Sequence, residues 1–80
     1  IMMPAAFRID SVVELVEKSV PLYRMQNADN TLYYDIPHKD WIFTKHHEDF
    51  VGSYVVTNFN GEVQLIAGNI FHEQFVPFQA

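Results

Sequence analysis

The dipeptide Asn60-Gly61 constrains this chain more than any other feature, because Tyr54-Val55-Val56-Thr57 precedes it and Glu62-Val63-Gln64-Leu65-Ile66 follows it. A two-residue type I′ turn needs positive φ at both central positions, and Asn-Gly meets that demand with little strain. Runs rich in β-branched residues on either side then read as paired antiparallel strands. With Asn60-Gly61 as the turn, Phe59 faces Glu62. That register predicts Tyr54, Val56, Val63 and Leu65 on the core face, with Val55, Thr57, Gln64 and Ile66 on a half-exposed face.

A lone hairpin is marginal in water, so the rest of the chain must supply further strands or a covering helix. Ser11-Val12-Val13-Glu14 fits a capping box, and Val12, Val13, Val16 and Val20 recur at helical spacing. Pro21 would stop that helix near Ser19, which predicts an N-terminal helix over residues 11–19. Residues 5–9 and Leu22-Tyr23-Arg24-Met25 read as strands. Asn27-Ala28-Asp29-Asn30 is turn chemistry, since Asn and Asp bond their own backbone and tolerate left-handed conformations. Strands are predicted at residues 31–36 and at Trp41-Ile42-Phe43-Thr44, with a polar loop at His46-His47-Glu48-Asp49. Asn69-Ile70-Phe71-His72 reads as a single helical turn before a closing strand at Gln74-Phe75-Val76. The expected architecture is one α+β domain over residues 1–80. Its N-terminal helix packs on a small, strongly bent antiparallel sheet, with an SH3-like partial barrel as the preferred geometry.

Composition narrows the function classes. At 80 residues the chain holds one core, and 49% hydrophobic residues argue against disorder. Cysteine is absent, which removes disulfides, thiolate zinc ligands and thiol catalysis. Ten acidic against five basic side chains leave a net charge of −5, which repels nucleic-acid backbones and anionic membrane surfaces. The apolar runs fall far short of the ~20 residues that span a bilayer. The N-terminal stretch lacks the basic region of a signal peptide. Ile1 is an unusual first residue, and translation is expected to begin at Met2 or Met3.

No arrangement of side chains points to catalysis. Ser11 reads as a cap, Ser19 as a helix end and Ser53 as a turn residue. Glu48-Asp49 is an acidic loop pair, and glycines at 52, 61 and 68 are too scattered for a phosphate loop. The run His46-His47-Glu48-Asp49, with His38 and His72 elsewhere, has ligand chemistry but no helical His-x-x-x-His spacing. It reads as a solvated loop, and neither a metal nor a cofactor is expected.

Val51-Gly52-Ser53-Tyr54-Val55-Val56-Thr57, then Asn60-Gly61-Glu62, Phe71, Phe75 and Pro77, give a second line of inference. In these residues the chain resembles a family of small, largely uncharacterised bacteriophage and prophage proteins. Their pattern runs Pro-Gly-Asp-aromatic-Ile/Val, a hairpin with Gly-Glu, and an aromatic-spaced tail ending near Pro. Val51 stands here where the pattern has Pro, and Ser53 where it has Asp. The match covers the C-terminal third. It implies a phage or prophage origin and a cytoplasmic setting in an infected bacterium, and it carries over no catalytic residue.

Aromatics are the remaining signal. Adjacent Tyr33 and Tyr34 in a strand must face opposite sides, and Phe59 beside the turn is hard to bury in a small monomer. Clustered exposed aromatics mark protein interfaces, whereas scattered ones need no explanation. The leading expectation is a non-enzymatic protein-interaction module. It would bind a host or phage protein through an aromatic sheet surface at Tyr34, Trp41, Tyr54 and Phe59, with self-association as a further expectation. The alternative is a small-molecule or nucleotide-sequestering module with its pocket between helix and sheet or between subunits. The third is an acidic DNA mimic, which the dispersed acids do not favour.

Overall fold

The computed structural model describes residues 5–40 and 46–75. The elements run β1 (Ala5–Arg8), β2 (Ser11–Glu17), β3 (Val20–Gln26) and β4 (Tyr33–Pro37), then 3₁₀ turns at His38–Asp40 and His47–Phe50. After these come β5 (Tyr54–Thr57), β6 (Val63–Ile66) and α1 (Gly68–Gln74). Two three-stranded antiparallel sheets result, in the orders β1-β5-β6 and β2-β3-β4.

The expected N-terminal helix is instead β2, a turn and the start of β3. Four valines in this stretch are stiff at χ1, which lowers their helix propensity and suits a pleated surface. Glu17 pairs with Val20 across Lys18 and Ser19, whose φ values are 50° and 66°. That is the two-residue I′ geometry, made without asparagine or glycine. Pro21 does not break the strand. Its pair with Val16 follows the closing pair of the hairpin, so the missing N–H points away from β2. Pairing of β3 with β4 starts only at Leu22–Pro37, so no ladder bond is lost on that side either. An α+β fold with an N-terminal helix on one bent, SH3-like sheet is therefore overturned. Among the described residues the one α-helix is α1, which follows the last strand.

The hairpin at β5–β6 forms with a shifted register. Tyr54 pairs with Ile66, Val55 with Leu65, Val56 with Gln64 and Thr57 with Val63. A slip of one residue turns a strand over. Val55 therefore faces inward beside Leu65, and Tyr54 and Val56 take the other face.

Ile9 joins the two sheets. Its N–H donates to the Ser53 carbonyl and its own carbonyl accepts from Gly52 N–H, both at 2.8 Å, while the next amide, Asp10 N–H, donates to Gln26 at 2.8 Å. The chain thus leaves one sheet and enters the other within two residues. Between the sheets lie fully buried Ile9 and Met25 with Val55. The cross-strand rung Phe7–Val55–Leu65 supplies one sheet's share, and Val12–Met25–Tyr34 supplies the other's, with Ile36 and Phe50 beside them. Each fully buried side chain of this size contributes ~1.5–3 kcal/mol.

The expected first strand and the turn at residues 27–30 are both present, as β1 and the β3–β4 loop respectively. The helical turn near residues 69–72 is also present, lengthened to α1. Gln74 ends that helix, so it does not begin a closing strand, and Phe75 follows in extended conformation. The strand expected at residues 41–44 and Val76 lie outside the described residues.

Candidate functional site

The tip of the β5–β6 hairpin is built from residues 58–62. Asn58 N–H donates to the Glu62 carbonyl at 3.0 Å, and Gly61 N–H donates to the Asn58 carbonyl at 3.1 Å. The Asn58 side chain closes the loop a second time, its Oδ1 accepting from Glu62 N–H at 2.9 Å. Only Gly61 takes positive φ here, at 83°. The loop is a type I turn followed by a left-handed glycine, the three-residue hairpin connection. Asn at the first position and Gly at the fourth were the readable signal for it. Phe59 occupies the second position and is 66% exposed.

The four expected interface residues do not share one face. Tyr34 lies on the inner face of β4 and packs against the Ile9, Met25 and Val55 cluster. Tyr54 lies on the opposite side of β5 from Val55, and its ring stacks on Phe71 of α1 at 3.8 Å and 7°. Phe71 in turn stacks on Phe75 at 4.9 Å, with His72 edge-on to Tyr54 at 5.6 Å. This ladder seats α1 on the outer face of the first sheet. Trp41 lies outside the described residues. Phe59 alone of the other three projects into solvent.

A second cluster, hidden by the helix expectation, surrounds Tyr23. Once residues 11–26 form a hairpin, Glu14 and Tyr23 are cross-strand partners. The two 3₁₀ turns then bring His38 to 4.2 Å and His47 to 5.0 Å from the Tyr23 ring. His38 Nε2 stands 3.9 Å from Glu14, and His47 Nε2 3.5 Å from Glu48. Partial burial, then the hydrogen bond to Glu14 and the charges of Glu14 and Glu48, push the Tyr23 phenol above its ordinary value. The phenol therefore stays protonated as a donor and is a poor general base at neutral pH. The expectation of a merely solvated loop at residues 46–49 understates His47, which anchors its turn on Tyr23. Among the described residues no group of three or more His, Asp or Glu side chains is placed to hold a metal ion.

The outer face of β3 carries a third polar group. Arg24 donates from Nε and Nη2 to both oxygens of Asp35 at 2.8 Å and reaches Glu17 at 3.1 Å. Its guanidinium also lies 4.2 Å from the centre of the Tyr33 ring. The bidentate bond to Asp35, then Glu17, raises its pKa further. With its donors committed to two carboxylates, Arg24 is a cross-strand brace.

The expected pocket between an N-terminal helix and the sheet has no counterpart, because that segment is β2 and the β2–β3 turn. Among the described residues no helix is long and apolar enough to cross a membrane. Comparison with family models, curated proteins and solved structures finds no match to this chain.

Proposed function

We propose that the chain is a non-enzymatic protein-interaction module that anchors on its partner through Phe59. The carrying observation is a large aromatic side chain, 66% exposed, on a loop already held by backbone and side-chain hydrogen bonds. Burying such a ring in a partner's pocket is worth ~1.5–3 kcal/mol. A loop ordered before binding loses less entropy on association. Glu62 on the same loop and a net charge of −5 favour a pocket with a basic rim. The bacteriophage resemblance makes the partner a host or phage protein met in the cytoplasm of an infected bacterium.

Phe59→Ser and, as an exposed aromatic control, Tyr33→Ser test this reading in pull-downs from bacterial lysate, with gel filtration at several concentrations. The reading requires one protein, in stoichiometric amount, captured by the wild type and by Tyr33→Ser and lost with Phe59→Ser, all three remaining folded. Equal capture by Phe59→Ser, or a concentration-dependent dimer as the only complex, would replace it.

A further inference from the structure

Five asparagines lie among the described residues: Asn27, Asn30, Asn58, Asn60 and Asn69. An asparagine amide is lost when the backbone nitrogen of the next residue attacks Cγ. That ring closure needs an unheld side chain, a small following residue and a backbone free to turn. Asn27 is held, its Oδ1 accepting from Leu32 N–H at 3.0 Å and its Nδ2 donating to Thr31 at 3.1 Å. Asn58 is held by Glu62, through the 2.9 Å bond to its Oδ1 and a 3.4 Å bond from its Nδ2. Asn30 and Asn69 precede β-branched Thr31 and Ile70, which crowd the attacking nitrogen, and Asn69 lies within α1. Asn60 differs in its side chain and in the residue that follows it. It is exposed, its amide makes no hydrogen bond among the described residues, and even a Cβ on Gly61 would have nothing within 4 Å.

We infer that Asn60 is a site of spontaneous, non-enzymatic deamidation. The Gly61 nitrogen gives up its proton and bonds to Asn60 Cγ, the C–NH₂ bond breaks, and ammonia leaves with that proton. The product is a succinimide shared by residues 60 and 61. Water then adds to one of its two carbonyls. Ring opening yields aspartate if the new bond breaks, or isoaspartate if the original peptide bond breaks. Nothing is oxidised or reduced, and water is the sole co-reactant.

The fold controls the rate. Gly61 N–H donates to the Asn58 carbonyl, so the turn must open before the nitrogen can attack. That bond lies beyond the last ladder pair, Thr57–Val63, at an exposed tip where local opening costs less than global unfolding. Conversion places a carboxylate next to Gly61 and near Glu62, adding one negative charge to the present −5. Isoaspartate also adds a methylene to the backbone of the loop that carries Phe59. The inference is independent of any partner.

The full chain, incubated at physiological temperature in mildly alkaline buffer with and without denaturant, provides the test. Conversion is read by peptide mapping and by isoaspartate-specific methylation. Asn60 should convert in the native chain, several-fold more slowly than in denaturant, while Asn27 and Asn58 keep their amides. Asn60→Gln, which would have to close a larger ring, should abolish the signal and leave the melting transition in place. An intact amide at residue 60 after the denatured chain has fully converted would overturn the inference. So would equal conversion at Asn27 or Asn58, or a signal that survives Asn60→Gln.

Discussion

Replacing Lys18-Ser19 with Asn-Gly (Lys18→Asn with Ser19→Gly) should stabilise the protein. Both residues sit in the left-handed region, at φ 50° and 66°. Side chains other than glycine lose roughly 1–2 kcal/mol each there. Glycine at 19 removes that cost but loosens the unfolded chain by ~0.4–1 kcal/mol. Asparagine at 18 removes part of it, because its short polar side chain tolerates the conformation. The net gain is ~1–2 kcal/mol against a total of ~4–12 kcal/mol for a domain of this length. With a urea slope of ~1 kcal/mol per molar, the unfolding midpoint should rise by ~1–2 M. A helix over residues 11–19 would gain nothing comparable, since positions 18 and 19 would be its last residues, where glycine acts only as a cap. Urea titration followed by circular dichroism reads the shift directly. An unchanged or lowered midpoint at unchanged slope would refute the hairpin.

Met25→Ala, at a fully buried position, should cost ~2–5 kcal/mol. Val16→Ala, at a position 67% exposed, should stay within ~0.5 kcal/mol, and the same urea titrations compare the two. Gly68→Ala should destabilise by ~1–3 kcal/mol although alanine is the better helix former. Its methyl would lie 2.5 Å from the Gly52 carbonyl oxygen, and a lowered melting temperature with altered near-ultraviolet dichroism of the Tyr54–Phe71 stack reads that clash. Hydrogen bonds from the Thr31 hydroxyl and amide hold the Asp29 carboxyl below its ordinary value of 3.8. A lowered folded pKa stabilises fully above the ordinary value, and that contribution disappears as pH falls through the folded pKa. The residue 27–32 loop should therefore loosen only below about pH 4, read as faster Thr31 amide exchange, and Asp29→Asn should flatten that dependence.

The strand segments with β-branched residues were legible where turn residues bounded them, as at Asn27-Ala28-Asp29-Asn30. The β2–β3 hairpin was not, because Lys18-Ser19 carries no turn signature and four valines fit helical spacing and strand propensity alike. Only pairing with β3, a tertiary fact, decides between them. At Asn60-Gly61 the residues were right and the turn type wrong. The side chain of Asn58 makes the longer loop, and that one residue turned Tyr54 away from the core and Val55 into it. The Tyr23 cluster was invisible for the same reason as the hairpin, since a helix would have set Glu14 and Tyr23 apart. Phe59 was legible as exposed because a ring beside a hairpin turn has no core within reach.

Site-specific photo-crosslinking most directly tests the claim that Phe59 is the anchor. A photoreactive phenylalanine analogue at position 59, and separately at position 33, is introduced into the chain expressed in bacterial cells. The account predicts one dominant protein adduct from position 59 and none of that mass from position 33. No adduct from position 59, or the same adduct from both positions, would contradict it.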